Sequence, residues 1–542
     1  MSFERNLHPD VLIIGAGPVG LALAIELGHR SISCLVVERN ERVGYAPRAK
    51  TTNARTRELF RRWGIANDLR RASPLGMNYP SNVIFCTRLS GYELMRFENA
   101  FYCAPGRNPL YSEHSQWVPQ YTVEEVMRAH AMTLPSVQII FNTELLESIQ
   151  DYEQVVSGIK DRKSNETYQV HSKYVVGADG SRSRVREQIG AEMVGEQGLS
   201  KNYNIVFKAP GLDKAHQLGP AIMYWHVNKD APGLIGPMDK DRWFFMPTGV
   251  ANDKKFDLNS SVDLIKKSTG IDLPYEVLSS DEWIASRLIA TKYQDRRIFL
   301  AGDACHLHPP FGGYGMNMGI ADGFDLGWKI AANLQGWGGP TLLDSYEIER
   351  RQVHDLVMNE AVANHTVLGN QLFQDGLEDP GAEGDLLRQT TGKRIELSKI
   401  REFYTLGIIL GYRYEHSPVI EYDGLPYAPS DYINYVPSSR AGCLAPHAWL
   451  NDGTSLYDHF GAGLTLLVSD VDTDDQAQEL LASATNEGIP LKILRPSESG
   501  IGNLYPHRFT IIRPDQHVAW RGDDLPKNHA AFLSYFLGIK MH

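Results

Sequence analysis

Three short stretches of the chain carry residue types and spacings that could do chemistry. The first, Gly15-Ala16-Gly17-Pro18-Val19-Gly20, has the G-x-G-x-x-G spacing of a turn that cradles phosphates. In such a turn Gly15 permits the tight bend, Gly17 lets backbone approach a pyrophosphate, and Gly20 allows a helix to pack closely on a strand. The helix that follows the turn would direct the partial positive charge of its N-terminus at the phosphates. Glu38 closes the following strand, where a carboxylate accepts from ribose hydroxyls, and Arg39 beside it is a further candidate contact.

The second stretch is Val176-Gly177-Ala178-Asp179-Gly180-Ser181-Arg182-Ser183 and the third is Ile298-Phe299-Leu300-Ala301-Gly302-Asp303-Ala304. The third leads into His306-Leu307-His308-Pro309-Pro310-Phe311-Gly312-Gly313-Tyr314-Gly315-Met316-Asn317. Each of the three stretches follows a short apolar run of the kind that forms a buried parallel strand. Residues 11–14, a helix over 21–29 and a strand over 32–38 make a βαβ unit, and residues 174–178 and 298–301 add strands. A long helix is expected from about Asp322 to Leu334. Between residues 203 and 246 the pattern changes to short aromatic and β-branched runs broken by Pro and Gly, which predicts a second, mostly antiparallel sheet. Residues 73–115, rich in Pro, Gly, Asn and aromatics, read as an insertion. Residues 464–468, 491–494 and 509–512 read as strands around a helix over 475–484, a small α/β unit.

Bulk properties narrow the function classes. A chain of 542 residues exceeds one hydrophobic core and implies two or three domains. The formal charge of −11, without any Lys/Arg block, argues against nucleic acid as a partner. Five scattered cysteines with no C-x-x-C pair do not make a disulfide scaffold and suit the reducing cytoplasm. The apolar run over 11–27 contains glycines, a proline and Glu26, and no other segment approaches the ~20 apolar residues of a membrane span.

With these three motifs in this order, the chain resembles the class A flavoprotein monooxygenases, the aromatic hydroxylases related to p-hydroxybenzoate hydroxylase and phenol hydroxylase. The resemblance spans roughly residues 10–360. It implies FAD as the dinucleotide, NADH or NADPH as reductant, and a small aromatic substrate hydroxylated with O₂ through a flavin C4a-hydroperoxide. It implies that Asp303, with Gly302, meets the ribityl or ribose hydroxyls, and that Gly312, Gly313, Gly315, Met316 and Asn317 run past the isoalloxazine ring. It further implies that Asp179, Gly180 and Arg182 serve FAD and NAD(P)H together, that Arg48 reaches the pyrophosphate, and that Gln120 reaches the flavin side. Pro309 and Pro310 would form a rigid apolar wall near the reacting flavin carbon. His306 and His308 lack further ligands at metal spacing, so no metal is expected.

A hydroxylated ring is a better nucleophile as phenolate, so an acceptor for its proton is expected. Tyr224 and His226 share one face of a strand by alternation and are the nominated catalytic pair, with Arg242, Tyr203 and Lys50 in reserve. Toward the C-terminus, Gly411-Tyr412-Arg413-Tyr414, Pro446-His447, residues 450–458 and residues 513–521 resemble the thioredoxin-like tail of the phenol hydroxylase branch. The run Ala441-Gly442-Cys443-Leu444-Ala445 departs from the Arg/Gly-rich residues that commonly precede that Pro-His. Lacking C-x-x-C, the tail is expected to have a packing or dimer-contact role, with a homodimer as the corresponding assembly.

The expected fold is α/β: a Rossmann-like FAD-binding domain of glutathione-reductase type over 1–75, 110–190 and 285–360, an interleaved antiparallel-sheet substrate domain over 76–109 and 191–284, a helical connection over 361–436, and the thioredoxin-like domain over 437–542. A halogenase or epoxidase on the same scaffold is the nearest alternative, but the W-x-W-x-I-P run common in halogenases is absent. A non-catalytic FAD-binding protein is the other.

Overall fold

The computed structural model describes residues 6–41, 49–251, 254–367, 369–469, 474–498 and 500–539. A six-stranded sheet carries the three motifs. Its order is Gln294–Asp295, Ile298–Leu300, Tyr174–Gly177, Val11–Ile14, Cys34–Val37, Val137–Ile140. All neighbours pair in parallel except the edge strand Gln294–Asp295. Every residue of Val11–Ile14, Cys34–Val37 and Tyr174–Gly177 is buried, which explains why these strands are continuous apolar runs without alternation. The three motif-bearing strands lie side by side, in register at Val175 with Leu12 and Ile298. Their C-terminal ends therefore bring the Gly15 turn, Asp179 and Asp303 to one edge of the sheet, where ligands of open parallel sheets bind.

The helix Pro18–His29 packs against a second long helix, Gly315–Leu334. The expected start of that helix near Asp322 is too late. Residues 315–321, read as loop because of their glycines, form its first turns, and the helix N-terminus lies at the end of the Pro309–Gly313 segment.

An eight-stranded sheet follows the order His306–Leu307, Glu276–Ala290, Met193–Lys208, Arg242–Pro247, Gly233–Pro237, Met223–His226, Val83–Cys86, Glu93–Phe97. It is antiparallel apart from the pairing of Met223–His226 with Val83–Cys86. The segment read as an insertion thus supplies two of its strands. One face of this sheet packs on the helix Leu258–Thr269, whose N-terminus is capped by the Asp257 carboxylate. The other face packs on the helix Ala382–Phe403 and on Trp117, Tyr121 and Phe311. A smaller sheet of Thr143–Gln150, Val155–Asp161, Thr167–Ser172 and Asn6–Leu7 flanks the first.

Two helices, Pro340–His365 and Ala382–Phe403, lead to a four-stranded sheet ordered Leu491–Leu494, Leu464–Val468, Phe509–Ile512, Val518–Gly522. Its helices Asp474–Asn486 and His529–Phe536 pack together. The unit is anchored by fully buried Arg513, which donates to Glu349 of the helix Pro340–His365 at 2.5 and 2.8 Å and to Asp515 at 2.5 Å. No helix among the described residues is long and apolar enough to cross a membrane.

Candidate active site

A cavity of about 710 Å³ opens where the edge of the six-stranded sheet meets the inner face of the eight-stranded one. At one end lies the glycine turn. Gly15 has φ +106°, and a side chain there would run into the Ala178 carbonyl, while one at Gly20 would strike the Gly15 carbonyl. Among the described residues nothing but its chain neighbours lies within 4 Å of where a Gly17 Cβ would stand. Gly17 caps the helix Pro18–His29 without any side-chain hydrogen bond, so the N-terminal end of that helix faces the cavity uncapped, as an anion site requires. Glu38, on the cavity wall, accepts from Ala16 N at 3.1 Å and Asn40 N at 2.9 Å, which aims its carboxylate back at the turn.

Asp179, Arg182, Arg39, Gln120 and Asp303 also line the cavity. Asp179 Oδ2 accepts from Arg184 N at 2.8 Å, whereas its buried Oδ1 has no hydrogen-bond partner among the described residues. Burial pushes this carboxyl above its usual range. Gln120 accepts from Ala49 N at 3.2 Å and donates to Glu124 at 2.7 Å, fixing the entry of the helix Gln120–Ala131. Arg182 and Arg39 are exposed at the rim. Gly302 is buried behind the wall, where a side chain would meet Val19 at 2.6 Å, so it serves the approach of helix to turn. Arg48 lies outside the described residues.

Next to Asp303, Pro310, Gly312, Gly313, Gly315 and Met316 form the wall. Two expectations need correction here. Pro309 is buried and absent from the wall; its carbonyl accepts from His308 Nδ1 at 2.8 Å, and it is the following residue, Pro310, that faces the cavity. Asn317 is also absent from the wall. It donates to Thr51 O at 2.9 Å and Gly313 O at 2.7 Å and accepts from Asn53 N at 2.9 Å, so it ties the loop to the strand Thr51–Thr52. His308 lines the wall with its buried Nε2 unpartnered among the described residues, and burial pushes its pKa down to about 4.

Behind this segment stands a group that the sequence reading missed. Asp322, fully buried, accepts from Arg350 Nε at 2.7 Å, from His354 Nε2 and His306 Nε2 at 2.9 Å each, and from Gly302 N at 3.1 Å. Burial opposes its ionisation, but His354 and Arg350 outweigh it and hold the carboxyl well below the usual range. One carboxylate thereby positions both the turn before Asp303 and the strand His306–Leu307. Its acidity carried no sequence signal, because Arg350 and His354, which lower it, come from another helix.

The far end of the cavity is apolar, with Phe101, Trp117, Met223, Leu234, Phe244 and Met246 in its wall. Tyr224 and His226 are not there. Alternation does put them on one face, but it is the opposite face. Tyr224 donates to Gly219 O at 2.6 Å, and His226 Nδ1 bonds Ser268 Oγ of the helix Leu258–Thr269 at 2.7 Å. Met223 and Trp225 take the inner side, Met223 in the wall and Trp225 in the core beside it. Of the reserves, Tyr203 is spent on Glu282 at 2.7 Å and Arg242 on Asp239 at 2.5 Å, and neither lines the cavity. Lys50 does, with its Nζ 3.9 Å from the centre of the Phe244 ring. A further wall residue comes from the helix Ala382–Phe403: Glu402, which accepts from buried Lys399 at 2.7 Å and is pushed above its usual range by burial.

These residues fit FAD. The uncapped helix N-terminus behind Gly17 suits a pyrophosphate, the carboxylates of Glu38 and Asp303 suit sugar hydroxyls, and the buried Asp179 Oδ1 and His308 Nε2, without partners among the described residues, suit polar atoms of the group. Comparison with known proteins agrees. Residues 8–361 match the FAD binding domain family, and residues 438–538 match the family described as aromatic-ring hydroxylase, C-terminal. The chain is 31% identical to the tetracenomycin B2 monooxygenase-dioxygenase of Streptomyces olivaceus, over 97% of this chain and 98% of that one. It superposes on the rebeccamycin biosynthetic enzyme RebC with reduced flavin at a TM-score of 0.90 and 32% identity, covering 99% and 100% of the two chains. Aklavinone-11 hydroxylase with FAD and aklavinone gives a TM-score of 0.82 at 28% identity, covering 99% and 100%.

Proposed function

The chain belongs to the FAD-dependent aromatic-ring hydroxylases, and from that premise we propose that it transfers one oxygen atom of O₂ to a phenolic or similarly electron-rich ring, with NADH or NADPH as reductant. The observation that carries this reading is the continuity of one cavity from the phosphate-binding turn to an apolar, aromatic-walled end. Bound FAD supplies the redox chemistry, taking hydride from the nicotinamide and activating O₂.

The protein's part is binding, orientation and exclusion of water. The turn at Gly17 and the helix behind it hold the phosphates, and Glu38 and Asp303 accept from the sugar hydroxyls. Pro310, Gly312, Gly313 and Met316 border the ring site. The rings of Phe101, Trp117 and Phe244, with Met223, Leu234 and Met246, give the substrate an apolar slot from which water is excluded, which protects a reactive oxygen donor from side reactions. The relatives' names, tetracenomycin B2 monooxygenase-dioxygenase and aklavinone-11 hydroxylase, support an aromatic substrate.

The test mixes the purified holoprotein anaerobically with NADH or NADPH and a panel of phenols, and then admits ¹⁸O₂. The expected result is substrate-stimulated bleaching of the flavin followed by one labelled oxygen atom in the product. Unlabelled product, or reduction that no phenol accelerates, would remove the hydroxylase reading.

A further inference from the structure

Lys50 sits where the two halves of the site meet. The following residue, Thr51, pairs with Trp117 across a two-stranded ribbon and touches the ring loop, since a side chain at Gly313 would meet it at 3.3 Å. Lys50 O accepts from Val118 N at 2.8 Å, which fixes the backbone. Its side chain crosses to the other sheet and rests its ammonium on Phe244. It makes no ion pair among the described residues, and the neighbouring stretch 42–48 contains no acidic residue.

Other charged or titratable groups on the packed elements are differently engaged. Glu124 of the helix Gln120–Ala131 holds Gln120. Arg242 of the strand Arg242–Pro247 holds Asp239, and its guanidinium lies over the Tyr121 ring. On the ring loop His308 bonds Pro309 O, and on the cavity's helical side Glu402 holds Lys399. An amine without a carboxylate partner among the described residues, resting on Phe244 at the edge of an aromatic slot, is placed to meet an acidic hydroxyl bound in that slot.

We propose that Lys50 is the group that takes the substrate's phenolic proton and then holds the phenolate, an inference that rests on the hydroxylase reading above. In this step the substrate O–H bond breaks and an N–H bond forms on Lys50 Nζ. The electron pair stays on oxygen and enriches the ring carbons that accept the new oxygen atom. The resulting ammonium lies between the phenolate and the Phe244 ring, and a cation is stabilised by both. The proton returns as the product leaves. Burial pushes the Lys50 pKa down to about 7, so amine and ammonium coexist near neutral pH, the condition under which a side chain serves best as a general base.

The experiment follows the ionisation of nitrophenol probes bound to the FAD-loaded enzyme by their absorbance across pH, in the wild type and in Lys50→Met and Lys50→Arg. In the wild type the bound probe should ionise below its solution value. In Lys50→Met that ionisation should move up by about 1–3 pH units, the effect of removing one adjacent opposite charge. kcat/KM for hydroxylation should fall about 10²- to 10⁴-fold, the usual contribution of a positioned base, with flavin content unchanged. Lys50→Arg should still draw the probe as phenolate but lose the limb of the kcat/KM profile near pH 7. Either of two results overturns the proposal: a bound probe in Lys50→Met that ionises as in the wild type, or a wild type that takes the probe up only in its neutral form. Failure of the hydroxylase reading looks different, as absence of labelled product from the wild type itself.

Discussion

Replacing Asp322 by asparagine keeps the shape of the side chain and removes its charge. The wild-type carboxylate accepts four donors, two on each oxygen: Arg350 and His354 on Oδ1, His306 and Gly302 N on Oδ2. An amide has one accepting oxygen, so one pair of donors must face an NH₂ group. Arg350, 1% exposed, loses its carboxylate partner and becomes an uncompensated buried charge. Breaking a buried pair in this way costs about 3–5 kcal/mol, a large share of the about 5–15 kcal/mol that holds a typical protein folded. At 1.4 kcal/mol per factor of ten, that is about 10²- to 10⁴-fold in the folding equilibrium. The variant should also retain less flavin, because Gly302 N positions the turn that presents Asp303. The assay is a urea titration followed by circular dichroism, with flavin absorbance per polypeptide measured after gel filtration. The pH series adds a check of sign. Because the folded state holds the Asp322 carboxyl below its unfolded value, its stabilisation is complete above the ordinary aspartate range, near ~3.9, and is lost as pH falls below it. Asp322→Asn should lack this part of the acid slope. A variant within about 1 kcal/mol of wild type and fully flavinylated would refute the account of Asp322 as the organising acceptor.

Three further predictions concern residues away from the cavity. Arg513→Met should destabilise the anchorage of the C-terminal unit by about 3–5 kcal/mol, seen as faster limited proteolysis there, because it strands Asp515 and leaves Glu349 with Lys329 as its cation. Adding Asp515→Asn should recover part of the loss, and a double variant no better than the single one would count against an electrostatic anchor. His226→Gln and Tyr224→Phe should leave the pH profile of turnover unchanged, since both side chains point away from the cavity; a tenfold change in kcat would sink that placement. His226 is held neutral by burial, its pKa pushed down to about 3, so the stability it contributes is complete above the unfolded value of ~6.5 and declines as pH falls toward 3. His226→Gln should flatten the urea midpoint across that window.

The sequence by itself determined the glycine turn at one end of the cavity. The glycine turn is a local device: its members are chain neighbours, and each is required by a contact within one strand–turn–helix unit, so spacing alone reveals it. Glu38 was legible for the same reason, at the end of the strand that follows the turn, whereas Asp179 and Asp303 were marked through the resemblance of their motifs, and all three line the cavity. The strands Leu464–Val468, Leu491–Leu494 and Phe509–Ile512 were also read to the residue.

The substrate end was decided by tertiary structure. Period-two alternation showed that Tyr224 and His226 share a face but not which face, because both sides of that sheet are covered and neither is polar. The early start of the helix Gly315–Leu334 was hidden by its glycines, which disfavour a helix in isolation. Packing overrides that preference: a side chain at Gly323 would lie 2.7 Å from Val19 O, so only a bare backbone lets this helix approach Pro18–His29. Lys50 and Asp322 owe their settings to groups far away in the chain, Phe244 for the one and Arg350 and His354 for the other. The suppressed basicity of Lys50 and the four-donor shell of Asp322 exist only once separate elements close around them, since burial and approach of distant charges set them and no local spacing encodes either.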